Sequence, residues 1–171
     1  TDPAGNQITY TYDAAGHLTA VQDRLGAEER YAYDPLTHNL IMLTDKAGNR
    51  YQYTYTYNDR VNYQIDPLGS RTTFDYLWDT THVINSRNEI TKYNFDARLF
   101  LQSIADPNNV LERSVNDANG NVIEHINKNA VSTQMTYDTK GNRTGILDAL
   151  GRWTRIEYEP AYNQPVRITD T

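Results

Sequence analysis

The chain has 171 residues, a formal net charge of -6, 14 tyrosines and no cysteine, and its mean hydropathy of -0.76 leaves too few aliphatic side chains for a large oily interior. Without cysteine there is no disulfide framework, thiolate zinc site or cysteine nucleophile, and the 16 basic residues are scattered, which argues against a grip on nucleic-acid phosphates. No apolar run approaches the roughly eighteen residues of a membrane span, and Thr1-Asp2-Pro3 does not open a signal peptide, so any export signal is expected outside these residues.

Taken in chain order, the dominant feature is a repeat. An Asp or Asn opening a DxxG-type turn recurs at Asp2, Asp23, Asp45, Asp66, Asn85, Asp106, Asn127 and Asp148, and Asp170 begins a ninth unit. The spacings are 21, 22, 21, 19, 21, 21, 21 and 22 residues. A fixed period in this range means stacked, self-similar units in place of one globular core. Three residues after each marker stand Gly5, Gly26, Gly48, Gly69, Asn88, Asn109 and Gly151, with Ala130 as the one break. Gly and Asn tolerate positive φ at least cost, so this column reads as turn chemistry.

Eight residues after the marker come Tyr10, Tyr31, Tyr53, Phe74, Tyr93, Ser114, Met135 and Ile156. Ten residues after it come Tyr12, Tyr33, Tyr55, Tyr76, Phe95, Asn116, Tyr137 and Tyr158. Columns two positions apart share one face of a strand. In the first unit the signals read turn over 2–5, strand over 6–12, turn over 13–16 and strand over 17–22, so each unit is one β-hairpin.

The second turn of each unit has the form Tyr-Asp-x-x-Gly. It is intact at Tyr12-Asp13-Ala14-Ala15-Gly16 and at Tyr137-Asp138-Thr139-Lys140-Gly141. The sixth unit alters it to Asn116-Asp117-Ala118-Asn119-Gly120, and Asp96 opens it in the fifth. In the second unit Tyr33-Asp34-Pro35 starts a turn one residue longer; in the third the turn reads as displaced by two, to Tyr57-Asn58-Asp59; the eighth carries Tyr158-Glu159-Pro160. The fourth unit is short and holds Trp78, which predicts an irregular loop over 77–83. An aliphatic residue often follows the turn, as at Leu18, Leu40, Val61, Leu101 and Val122.

The fold class is therefore all-β: residues 1–171 form one array of about eight hairpins of roughly 21 residues, a long antiparallel sheet of about sixteen strands that curls because strand twist accumulates. The tyrosine columns read as cross-strand aromatic ladders. The Asp row recurs once per unit, about 10 Å apart, too far for a shared ion, so it reads as turn capping. His17, His38, His82 and His125 lie in different units with no pair at ligand spacing in sequence, and no serine has a nucleophile motif. No catalytic, metal-binding or cofactor-binding residue is assigned, and no cofactor is expected.

The combination of a twenty-one-residue period, DxxG turns, aromatic columns and Tyr-Asp-x-x-Gly resembles the YD repeats of the Rhs family, which also occur in teneurins and in the shell-forming component of insecticidal toxin complexes. The resemblance implies that the hairpins form part of the wall of a spiralling β-shell that holds and helps deliver a C-terminal toxin domain, in a secreted or surface-exposed bacterial protein. It implies a structural role without catalysis, with the remaining repeats and the toxin domain as partners. Strands at the two edges of the array are expected to pair with further copies. The alternative is a cell-surface adhesion or carbohydrate-binding repeat, using exposed tyrosines and Trp153 as stacking platforms.

Overall fold

A computed structural model describes residues 7–171. The first marker turn, with Asp2 and Gly5, and the predicted strand start at Asn6 lie outside the described residues. Among those residues there is no helix; sixteen strands follow one another, and their order in the sheet is their order in the chain. The first eight are β1 (Thr9–Tyr12), β2 (Leu18–Gln22), β3 (Glu28–Tyr33), β4 (Leu40–Thr44), β5 (Arg50–Tyr55), β6 (Val61–Ile65), β7 (Arg71–Tyr76) and β8 (Thr80–Ile84). The second eight are β9 (Ile90–Phe95), β10 (Leu101–Ala105), β11 (Leu111–Asn116), β12 (Val122–Ile126), β13 (Ser132–Tyr137), β14 (Arg143–Leu147), β15 (Trp153–Tyr158) and β16 (Pro165–Asp170). The all-β, hairpin-by-hairpin architecture is the one the twenty-one-residue period predicts.

The chain divides into two compact units, Thr1–Asp75 with Val83–Glu89, and Tyr76–His82 with Ile90–Thr171. Within the first, β1 to β7 pair consecutively and antiparallel. Within the second, β9 to β16 do the same. The two kinds of strand pair differ. Pairs joining one hairpin to the next are regular, as in Ala20↔Arg30, Val21↔Glu29 and Gln22↔Glu28. Pairs inside a hairpin carry a bulge at the Tyr-Asp end: Thr11 faces Ala20 but Tyr12 faces Leu18, so Thr19 is the extra residue. The same slip recurs at Tyr33, Tyr55, Phe95, Asn116, Tyr137 and Tyr158. A bulge adds local twist and shifts which residues share a face, so here the twist enters once in each of these seven hairpins.

Within each unit the described strands form a single layer. Among the described residues only Ala20, Ala105 and Gly145 are buried, and the accessible surface of 12037 Å² exceeds the about 8600 Å² of a close-packed chain of this mass. The hydrophobic term is correspondingly small. Backbone ladders and turns carry much of the order, and no buried side-chain nitrogen or oxygen among the described residues lacks a partner.

The short fourth unit is more regular than its sequence suggests. Leu77 N–H donates to Thr80 O at 2.8 Å, closing a tight turn, and β8 starts at Thr80. The deletion shortens the turn and spares the strand, so the expected irregular loop over 77–83 is replaced by a short bend at 77–79.

Candidate functional site

The repeated parts of this molecule are its turns and the joints between its hairpins. Most turns of both kinds, which look different in sequence, use one five-residue geometry; those at Asp34 and Glu159 are one residue longer, and the one at Leu77 is one residue shorter. At Asp13, Gly16 N–H donates to Asp13 O at 3.2 Å and Asp13 N–H to His17 O at 3.0 Å. At Asp23, Gly26 N–H donates to Asp23 O at 3.0 Å and Asp23 N–H to Ala27 O at 2.9 Å. The Asp side chain completes the turn: Oδ1 of Asp13 accepts the N–H groups of Ala15 and His17, both at 2.9 Å. Asp45, Asp96, Asp117, Asp138 and Asp148 accept from the same two offsets. Asn85 and Asn127 do so with their amide oxygens, which is why Asp and Asn interchange at the marker.

These bonds hold the carboxylates of Asp34, Asp45, Asp117 and Asp138 below the ordinary range. The Asn49, Asn121 and Asn142 side chains are the foremost cause for Asp45, Asp117 and Asp138 respectively, and the Thr37 N–H for Asp34. Lys46, from the next marker turn, is foremost for Asp23, at 2.9 Å.

The fourth turn position has positive φ, which Gly16, Gly26, Gly48, Gly69, Gly120, Gly141 and Gly151 supply at 79 to 89°. Asn88, Asn109, Leu99 and Ala130 reach it too, at 62, 59, 65 and 59°. Ala130, the break in the sequence column, therefore keeps the turn and bears the strain. The third unit corrects its expected displacement. Its turn is in register, with Thr56 in the Asp place: Asp59 N–H donates to Thr56 O at 3.2 Å, and Thr56 Oγ1 accepts the N–H of Arg60 at 3.2 Å. A hydroxyl can accept as the carboxylate does, so the sequence search for Asp slid past it.

The tyrosine of Tyr-Asp-x-x-Gly does something the sequence columns did not disclose. Tyr33 Oη donates to Leu18 O at 3.0 Å, Tyr55 to Leu40 O at 2.7 Å, Tyr137 to Val122 O at 2.9 Å and Tyr158 to Arg143 O at 3.1 Å. Each acceptor is the first strand residue after the preceding Tyr-Asp turn, 15 positions back. Every such bond is a clasp from one hairpin to the one before it. Asn116 replaces the phenol with an amide and still reaches Leu101 O, at 3.0 Å; Phe95 has no hydroxyl to offer. Tyr76 ends β7 at the same phase, and Tyr12, in β1, is 59% exposed.

The expected tyrosine-on-tyrosine ladder is corrected. The tyrosines of the two columns lie on alternate strands, about two strand spacings apart, so each faces the strand between: Tyr31↔Leu43, Tyr33↔Leu40 and Tyr55↔Val61; Tyr63, outside the columns, lies on β6 and faces Thr54. His17 meets the rings of Tyr33 and His38, and Arg71 and Arg98 lie over the rings of Tyr63 and Phe100. Trp153, proposed as a stacking platform, lies against the strand residue Gly145, where an added Cβ would come within 2.8 Å of the indole. Trp78 is 95% exposed.

Cross-repeat side-chain pairs were also missed. His17 and His38 meet at 3.0 Å, Asn39 and Asp59 at 2.8 Å, Lys46 and Asp23 at 2.9 Å, Asn142 and Asn163 at 2.7 Å. Their separations of 21, 20, 23 and 21 residues are the signal that was available: one repeat.

Residues 1–28 and 13–50 match the family model of the RHS repeat. Residues 1–50 thus carry matches to the Rhs repeat. In solved structures its fold is similar to chains of a Tc holotoxin pore of Photorhabdus luminescens (18% identity, TM-score 0.64, 94% of this chain and 10% of that one) and of a TcdB2-TccC3-Cdc42 complex (18% identity, TM-score 0.63, 93% and 10%). A TcdB2-TccC3-TEV structure matches over 99% of this chain and 10% of its own at 13% identity and a TM-score of 0.62. The chain thus spans about a tenth of the length of the solved chains it matches.

Proposed function

We propose that this Rhs-repeat chain is a structural wall segment of a β-shell, one continuous array whose place in a secreted or surface-exposed bacterial protein is to enclose and help deliver a C-terminal toxin domain. The observation that carries this reading is the joint: the second, third, sixth, seventh and eighth hairpins are each tied to the preceding one by a strand ladder and a Tyr or Asn clasp, so a wall can be extended without a packed interior. The fold similarity to Tc complex chains supports it. Its partners are neighbouring repeats, at the outer edges of β1 and β16, and the enclosed domain; the same edges support pairing between copies. The wall itself performs no catalysis.

Electron microscopy of the secreted polypeptide that bears these repeats tests the reading. The expected result is β1 to β16 within a closed wall, each edge paired with further repeats and density for a separate domain inside. An open sheet with no enclosed space contradicts it. Saturable binding on a glycan array, lost on Trp153→Ala, would replace the wall with the carbohydrate-binding alternative.

A further inference from the structure

We propose that His17 and His38 form a two-nitrogen chelating site for a divalent transition-metal ion of the zinc, nickel or copper type, which staples the first hairpin to the second. The argument begins in the turn. Where the residue after the turn glycine is Asn121 or Asn142, its amide donates to the second carboxylate oxygen of the turn Asp, at 2.9 and 2.8 Å. His17 occupies that place after Gly16 and uses Nδ1 in the same way, 2.9 Å from Asp13 Oδ2. Bonding to a carboxylate puts the proton on Nδ1 and leaves the lone pair on Nε2. An amide ends there, but an imidazole has this second nitrogen on its far side, and it points at the next repeat.

The next repeat answers with another imidazole. The second Tyr-Asp turn is one residue longer, and His38 stands at its left-handed position, with φ 62°. His38 Nδ1 lies 3.0 Å from His17 Nε2, and the ring of Tyr33 stacks on His17 at 4.8 Å, fixing its plane. Metal–imidazole bonds of about 2.0–2.1 Å put two cis nitrogens about 2.9 Å apart at a right angle and about 3.3 Å apart in a tetrahedron. The observed separation falls within that window.

Without metal, His38 Nδ1–H donates to His17 Nε2. On binding, the His38 proton moves through solvent from Nδ1 to Nε2, both rings stay neutral, and both lone pairs face the ion. Asp13 supplies the carboxylate that commonly backs a ligating histidine and orients the ring. Asp13 and Asp34 add negative charge around a cleft of about 520 Å³ that both histidines line, with room for water to fill the other coordination positions. Among the described residues no group of three or more metal-ligating side chains is assembled, so the affinity rests on these two nitrogens and the orienting carboxylate.

Calorimetric titration of the chain with zinc chloride and with nickel chloride at neutral pH, with a parallel thermal melt, tests the proposal. One ion per chain and a raised melting temperature are expected. His17→Asn keeps the Asp13 bond in the manner of Asn121 and Asn142, so the hairpin folds while affinity falls by about tenfold or more. His38→Asn retains a residue suited to positive φ and loses binding equally; His125→Asn changes nothing. Undiminished binding in either the His17→Asn or the His38→Asn chain, or no saturation by about 1 mM metal, overturns the site.

Discussion

Replacing Tyr55 by Phe removes one oxygen and leaves the ring against Val61, so it isolates the clasp from the packing. The hydroxyl donates to Leu40 O at 2.7 Å, the usual length for an O–H···O bond. A neutral hydrogen bond of this kind nets about 0.5–1.5 kcal/mol, and because the site is only half-buried, water can take up the freed carbonyl. The expected loss is about 1 kcal/mol, or about 2–4 °C in Tm for a chain of this length. The bond crosses from the third hairpin to the second, so the loss falls on the coupling between repeats. Urea unfolding followed by circular dichroism reads it as a lower midpoint with an unchanged slope. Tyr57→Phe, at a ring that is 100% exposed in the same unit, is the control. Equal midpoints for the Tyr55→Phe and Tyr57→Phe chains would refute the clasp, and a Tyr33→Phe/Tyr55→Phe double variant should lose close to the sum of the singles, since the two joints are separate.

The turns make three further predictions. Gly48→Ala costs about 1–2 kcal/mol from its backbone alone, because an added Cβ meets nothing within 4 Å; Gly120→Ala costs more, because its Cβ comes within 2.7 Å of the Phe100 ring, and equal midpoints in urea would contradict this. Ala130→Gly relieves a strained φ and should stabilise the chain by up to about 1 kcal/mol after the entropy of a freer unfolded chain is subtracted, a small rise in Tm on calorimetry. The depressed carboxylates of Asp45, Asp117 and Asp138, whose ordinary value is 3.8, bind protons more weakly folded than unfolded. Their stabilisation is complete above that ordinary value and is lost as pH falls through the folded values, so the urea midpoint should drop below about pH 4. Asp117→Asn keeps the acceptor oxygen, as Asn85 and Asn127 do, and should flatten that drop.

What the sequence disclosed was whatever repeats at fixed offset within a unit. The Asp and Gly of each turn are local: donor and acceptor lie two to four residues apart, so spacing alone reveals them. The hairpin order followed from the same period. The clasp was hidden because a phenol reads as an apolar ring in a strand, and its acceptor is a backbone carbonyl, which has no sequence identity. Thr56 was hidden because a hydroxyl does the work of a carboxylate there, and the bulges because an extra strand residue leaves no mark beyond the loop length. His17 and His38 were looked for as neighbours in sequence, whereas stacking brings residues one period apart into contact.

The claim beneath all of this is that consecutive hairpins are zipped to one another as well as within themselves. Cross-strand nuclear Overhauser contacts in the labelled chain measure it directly. Backbone contacts between Ala20 and Arg30 and between Met42 and Gln52, which join one hairpin to the next, should be as strong as that between Tyr31 and Leu43 inside a hairpin. Contacts confined to Tyr31–Leu43 and its equivalents, with none across the joints, would contradict the account.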